Sequence, residues 1–344
     1  MARDWILLEK KGPVGYVILN RPEKHNALAF EMFDDLAQAV RDCEDDDAIK
    51  VIVIKGNGPS FCSGHDLSQV GLVYGMKPGE RRPSQRVRLI FDRKIIKNYE
   101  QILFAMKPII TQVHGHCIGG GMMLCYITDL TVAADDAKFG HIEQRLGVGG
   151  HLFVQLSAYH TLGAKKVREL MLLNEEFGGQ EAVRLGLANK SVPADQLDAT
   201  VDDWARRIAR HPKDGLVMGR VWHQQIIDMM GAGQQLIQGY ITHSHMTNLR
   251  FDEDEFNFFR NRRDGGATKA IKQREAFYQE EDKAAAAKSA KAAKSVKAGR
   301  SGAKPAAKAP ARPAAKSAAK SAAKPAAKSA TKSAAKPAAK SARK

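Results

Sequence analysis

The chain predicts an α/β fold, on three observations. Short β-branched runs bounded by turn residues alternate with longer segments of helical period. Glycine clusters stand at the junctions between them. Beyond about residue 195 the strand-like alternation stops and helical spacing continues. Strands alternating with helices imply a sheet covered by helices.

Residues 14–20 and 51–55 read as strands, rich in Val and Ile. Between them Phe30, Phe33, Leu36, Ala37 and Val40 recur at helical spacing, which predicts an amphipathic helix over Phe30 to Cys43. Gly71 to Asn98 reads as a long loop. It holds Pro78, Gly79, Pro83 and the basic residues Arg81, Arg82, Arg86 and Arg88. A loop of that length in a compact domain is often a lid, and its arginines suit phosphate. Arg93 and Tyr99 stand near enough in sequence to shape a pocket. A solvated basic surface loop is the alternative. Ile109 to Val113 and Leu130 to Ala133 read as two more strands, with a helix start at Met122 to Ile127 between them. Over 195–282, Trp204, Ile208, Val217, Val221 and Trp222 mark apolar helix faces. His243 and His245, two apart on a helix, project to different faces, which speaks against a metal site.

Two glycine-bearing loops carry the chemistry. One is Ile118-Gly119-Gly120-Gly121-Met122-Met123, opening a helix; unsatisfied N–H groups and the positive end of a helix dipole face whatever sits there. The other, Ser60 to Leu67, follows the strand-like run Val51 to Ile54. Two N–H donors from two loops make an oxyanion hole. Phe139-Gly140-His141-Ile142-Glu143 adds one carboxylate after a second glycine turn. A solvated surface Glu is the plainer reading of Glu143 taken alone.

Composition bounds the rest. No apolar run approaches the eighteen or so residues of a membrane span. Met1-Ala2-Arg3-Asp4-Trp5 is followed by no signal-type apolar stretch. A soluble, cytoplasmic protein without a membrane partner is expected. Cys43, Cys62, Cys117 and Cys125 have no ligand spacing and read as small buried fillers, with no metal expected. The net charge is +16, but 18 of the 54 basic residues and none of the 38 acidic ones lie from Lys283 onward. That leaves 36 basic against 38 acidic residues before it, a net charge of −2.

These motifs together resemble the crotonase (enoyl-CoA hydratase/isomerase) superfamily, from about Val14 to Pro193. The resemblance runs in order through Leu19-Asn20-Arg21-Pro22-Glu23-Lys24-His25-Asn26-Ala27-Leu28, Phe61 to Leu67, Lys107-Pro108, His114 to Gly121, Phe139 to Gly147, Glu181 to Ala188 and Val192-Pro193. It implies a spiral of ββα units over 1–194, a helical trimerisation region over 195–282 and a homotrimer or hexamer. It implies an acyl-CoA substrate, with coenzyme A as part of that substrate and no prosthetic group. The two oxyanion-hole amides would be those of His65 and Gly120. Coenzyme A would lie along Arg21 to Ala27 and Cys62 to Leu67, contacting Glu23, Lys24, His25, Ala27, Ser63, His65, Asp66, Leu67, Gly119 and Gly120, its adenine near Ser63 and His65.

The family's two acid/base carboxylates fall on Met123 and Glu143, so only Glu143 can move a proton. Met123 beside it is expected to raise its pKa by desolvation. Enoyl-CoA isomerisation or single-base hydration is the implied reaction. A C–C lyase or hydrolase acting on a cyclic or aromatic acyl-CoA is the alternative. The segment after Glu143 departs from the family, reshaping the acyl pocket and placing His151 there, as a structural residue or a second proton carrier. A basic C-terminus near Phe277 holds coenzyme A in the family; here Gln279-Glu280-Glu281-Asp282 follows.

Residues 283–344 read as a disordered tail. A basic residue falls at every fourth position from Lys304 to Lys344, and Pro305, Pro310, Pro313, Pro325 and Pro337 interrupt any helix. It resembles histone H1-like Lys/Ala/Pro tails. It suits nucleic acid or another polyanion without base readout, or simply solubilises. A polyanion-binding protein with a weakly active crotonase domain is thus a further alternative.

Overall fold

The structure, a computed structural model, describes residues 4–70, 84–148, 153–246 and 251–301. The chain divides into two units, Met1–Ala286 and Ala287–Lys344. The first holds a six-stranded sheet built from β1 (Ile6–Lys11), β2 (Val14–Leu19), β3 (Val51–Gly56), β4 (Ile109–Val113), β6 (Leu130–Ala134) and β8 (Lys190–Val192), in the order β1-β2-β3-β4-β6-β8. Only the edge strand β1 is antiparallel to its neighbour; all other pairs are parallel. Parallel strands are covered on both faces and therefore read as unbroken apolar runs. β2, Val-Gly-Tyr-Val-Ile-Leu, and β4, Ile-Ile-Thr-Gln-Val, are buried at every position. The Thr111 hydroxyl inside β4 is satisfied across the sheet by Thr131 at 2.7 Å.

Two three-residue strands, β5 (His116–Ile118) and β7 (Lys138–Gly140), form a separate parallel pair. The loop after β3 lies along β5 as a third partner through the Cys62–Cys117 bridge. Between them, α3 (Gly120–Ile127) is buried at all eight residues. It is apolar all round, as a fully enclosed helix must be.

Further helices pack on the sheet or on one another. α1 (Phe30–Asp45) presents Met32, Phe33, Leu36, Ala37, Val40 and Cys43 to the core. α2 (Gln85–Leu103), α4 (Gln155–Leu173), α5 (Gly179–Arg184), α6 (Leu197–Ala209), α7 (Lys213–Met229), α8 (Ala232–Met246), α9 (Phe258–Gly265) and α10 (Ala267–Ser301) follow. The disorder expected from Lys283 is corrected as far as Ser301, where Ala- and Lys-rich sequence without proline continues the helix; the rest of the expected tail lies outside the described residues. In α9, Arg262 donates to the Leu67 carbonyl at 3.0 Å and to that of Val70, pinning the loop that follows Asp66. All four cysteines are buried and free, as expected. Among the described residues no helix is long and apolar enough to cross a membrane.

The expected long loop over Gly71 to Asn98 is corrected in its second half. Ser84 caps α2 by accepting from the Val87 N–H, and Gln85 to Asn98 are helical. Arg88, read as part of a solvated basic run, is only 2% exposed, while Arg86 and Arg93 are exposed. The rest of the loop, with Arg81 and Arg82, lies outside the described residues. The mixed charges along α2 hide its period, and α8 packs against this helix. Strands β1, β5, β7 and β8 were not expected; the last three are too short to show a period.

Candidate active site

Backbone contacts between two loops build the site. The Cys62 N–H donates to the His116 carbonyl at 2.9 Å, and the Ile118 N–H donates to the Cys62 carbonyl at 3.0 Å. The Phe61 N–H reaches the His114 carbonyl at 2.8 Å. Main chain meets main chain here, so side chains have no room. A Cβ on Gly121 would stand 2.6 Å from the Cys62 carbonyl oxygen, and one on Gly115 2.0 Å from that of Pro59. Gly115 and Gly119 also take positive φ, at 53° and 51°, where glycine carries no Cβ penalty.

His65 and Gly120 are brought together by this seam. A Cβ on Gly120 would lie 3.4 Å from the His65 amide nitrogen; one on Gly64 would lie 3.4 Å from the Gly120 amide nitrogen. Neither amide donates to any acceptor among the described residues. The reasons are local. Gly120 opens α3, whose first N–H groups have no intrahelical partner. His65 bridges Leu28 in parallel, and the hydrogen bonds of that bridge use Gly64 O and Asp66 N instead. Two free N–H groups so placed can receive one oxygen atom.

Glu143 sits beside them. Its side chain is 12% exposed, and its Oε1 lies 3.0 Å from where Gly119 would carry a Cβ. His141 Nδ1 is 3.4 Å from Oε1 and 3.3 Å from Oε2. Oε2 is buried and has no hydrogen-bond donor among the described residues. The expectation that Met123 raises the Glu143 pKa is overturned. Burial is the largest influence and does push upward, but the adjacent His141 and the amides of Ile142 and Glu143 outweigh it. The carboxyl is held below its usual 4.5.

Met123 is 3% exposed and accepts a hydrogen bond at its sulfur from the Tyr99 hydroxyl at 3.4 Å. The same hydroxyl lies 2.9 Å from His65 Nε2. Phe33, Tyr99 and Phe153 enclose the His65 ring at centroid distances of 6.0, 6.2 and 6.0 Å. Burial there, with His243 nearby, pulls the His65 pKa down to about 4, so the ring is neutral near pH 7. It turns inward as a wall, consistent with a role for His65 through its backbone. His151 lies outside the described residues.

The expected coenzyme A loops adjoin each other. The Ser63 N–H donates to the His25 carbonyl at 3.0 Å and the Leu28 N–H to that of Gly64 at 2.8 Å. His25 and Asn26 take left-handed φ of 49° and 55°. Asp66 pairs with Arg21 at 2.6 Å and accepts from Ser68, so it staples the two loops together. Ala27 lends its carbonyl to Arg21 at 3.1 Å, while Glu23 and Lys24 are exposed. Leu67 packs with Leu146 and Phe258. Sequence reasoning missed Tyr126 and the role of His141. It also missed Asn26, fully buried and bonded to the Asn57 and Ser60 carbonyls and the Arg21 N–H. Asn26 alone carried a usable signal, as an Asn in a turn ahead of a helix.

A parallel sheet with helices around it, a glycine seam exposing two amides and one enclosed carboxylate define an enzyme of the crotonase architecture. The chain belongs to the enoyl-CoA hydratase/isomerase family, whose sequence model matches residues 9–253. It is 31% identical over 234 residues to the protein EchA13 of Mycobacterium tuberculosis, covering 64% of this chain and 73% of that protein. Among solved structures it is similar to an enoyl-CoA hydratase/isomerase from Xanthobacter autotrophicus Py2, at 27% identity and a TM-score of 0.71, covering 80% of this chain and 98% of that one. An enoyl-CoA hydratase from Mycobacterium smegmatis, 24% identical, shares the fold with a TM-score of 0.70 over 80% of this chain and 94% of that one. The family works on coenzyme A-bound substrates without a prosthetic group. Among the described residues no group of three or more His, Cys, Asp or Glu is placed to hold a metal ion.

The seam makes a direct prediction. Gly121→Ala forces a methyl against the Cys62 carbonyl and separates the two amides. It should cost about 1–3 kcal/mol of stability, read by urea denaturation, and lower kcat more than it raises KM.

Proposed function

We propose that the protein processes an acyl-CoA as an enoyl-CoA isomerase or hydratase-like enzyme, with the His65 and Gly120 amides as its oxyanion hole and Glu143 as sole acid/base. The thioester carbonyl oxygen sits against the two N–H groups. Glu143 Oε2 takes a proton from carbon. The electrons of that C–H bond pass into an enolate whose charge rests on the thioester oxygen, and the same carboxyl returns the proton at another carbon. One oxyanion donor contributes roughly 3–4 kcal/mol to such a barrier. The observation that carries the reading is the pair of amides without acceptors beside a buried carboxylate with one unbonded oxygen. Met123 leaves no second carboxylate to hold the water of a two-acid hydration. Coenzyme A would run along Arg21 to Ala27 and Cys62 to Leu67, with Asp66 acting through its pair with Arg21.

Glu143→Gln should lower turnover roughly 10²–10⁴-fold. Mass spectrometry of a panel of acyl-CoA thioesters incubated in deuterated water reads the reaction itself. Exchange at carbon or a moved double bond fits this reading; bond scission would favour a lyase or hydrolase. Full activity in Glu143→Gln would end it.

A homotrimer or hexamer is part of the proposal. On α7, Met218, Trp222, Ile226 and Met229 make a stripe along one face, with Trp222 63% and Met229 76% exposed. A stripe of this size suits a second copy of the chain. Trp222→Asp should yield monomers by light scattering; an unchanged mass would exclude this face.

The charge partition favours a second role for residues 283–344, as a polyanion-binding tail in a division at 1–194, 195–282 and 283–344. The full chain should be retained on immobilised duplex DNA and released as salt rises from about 50 to about 200 mM. Retention insensitive to salt would refute it.

A further inference from the structure

The family reaction uses a carboxylate, and nothing in it requires a histidine two residues before that carboxylate. Here His141 is 1% exposed, which is uncommon for an imidazole without a task. Resting on the reading of Glu143 as the base, we propose that His141, locked by Tyr126, is a positioning residue that aims the Glu143 carboxylate and gives it its hydrogen bond.

The chain of contacts fixes its own polarity. Tyr126, on α3, has its hydroxyl 3.1 Å from His141 Nε2, the two rings lying 16° from parallel. His141 Nδ1 faces Glu143. A carboxylate only accepts, so Nδ1 must carry the hydrogen. Tyr126 can accept from Nε2–H of an imidazolium or donate to Nε2 of a neutral ring, so its hydroxyl partners the ring in either state. In both, imidazole donates to carboxylate from Nδ1, and the ring is held from α3. Burial, with Cys125, Glu143 and Cys117 nearby, pushes the Tyr126 pKa well above 10, so its hydroxyl keeps its proton. No proton travels along this chain during turnover. Glu143 Oε2 takes the substrate proton and returns it, while His141 keeps its Nδ1 hydrogen throughout.

The other titratable groups facing Glu143 are His65 from the loop after β3 and Tyr99 from α2. Cys117 and Cys125 stand behind Tyr126. His65, Tyr99 and Cys117 are held uncharged near pH 7 by burial. His141 is therefore the side chain that offsets the burial of Glu143. Without it, burial stands opposed only by the two backbone amides and the Glu143 pKa rises. The base form exists above that pKa, so activity is lost as pH falls through it, and losing His141 moves this loss to higher pH.

The test uses the full chain labelled with side-chain-¹³C glutamate, the Glu143 signal being assigned by its absence in Glu143→Gln. In the native protein the carboxyl should titrate below 4.5; in His141→Phe it should titrate above it. His141→Phe should also lower kcat roughly 10- to 100-fold with little change in KM. His141→Asn, which keeps an N–H donor near the place of Nδ1, should restore most of both. Tyr126→Phe should shift the titration in the same direction by less. A Glu143 titration unmoved in His141→Phe overturns the proposal, as does His141→Asn behaving no better than His141→Phe. If His141→Phe fails to fold, a Glu143 titration unmoved in Tyr126→Phe, or one in His141→Asn shifted further from the native value than in Tyr126→Phe, overturns it instead. Because the titration needs no turnover, it stands apart from the base reading, which fails only if Glu143→Gln stays active.

Discussion

The structure of the site depends on one seam, where the loop after β3 lies backbone against backbone on β5 and the start of α3. Hydrogen bonds between Cys62, His116 and Ile118 close the seam. The absence of side chains at Gly115 and Gly121 lets it close. What it leaves over are the amides of His65 and Gly120, one spared by the alternation of a parallel bridge and the other by the start of a helix. Both donors are held in place before any ligand arrives. A fixed dipole loses little to reorganisation when charge develops against it.

Beside this fixed pair lies an enclosed carboxylate kept ionised. Burial by itself pushes the Glu143 pKa upward. The neighbouring imidazole and amides reverse the balance and hold the carboxyl below its usual value. On the proposed reading, a carboxylate so stabilised is also a weaker base, and more of the barrier falls on the two amides. The facing wall is uncharged. His65 is neutral, Tyr99 keeps its proton, and Met123 offers only a sulfur.

Much of this was legible in the chain because its causes are local. Three successive glycines announce backbone proximity wherever they occur. Val51 to Ile54 and Ile109 to Val113 read as strands because both faces of a parallel strand are apolar. Phe30 to Cys43 read as a helix because one face is. Arg88 was misread because its charge says solvent while the packing around α2 leaves it buried. The sign of the Glu143 shift was misread because Met123 is visible as an apolar neighbour, whereas the partner that decides it is a histidine whose orientation is fixed by Tyr126.

The sequence by itself therefore determined the α/β class, the two glycine loops, the lone carboxylate and the charge-segregated tail, since each follows from residue type and near spacing. Only the tertiary structure decided that the amides of His65 and Gly120 lie close together, that the imidazole of His65 turns inward, and that His141 joins Tyr126 to Glu143. Those outcomes rest on distances of about 3 Å between atoms from different elements, and such distances are set by how the elements pack.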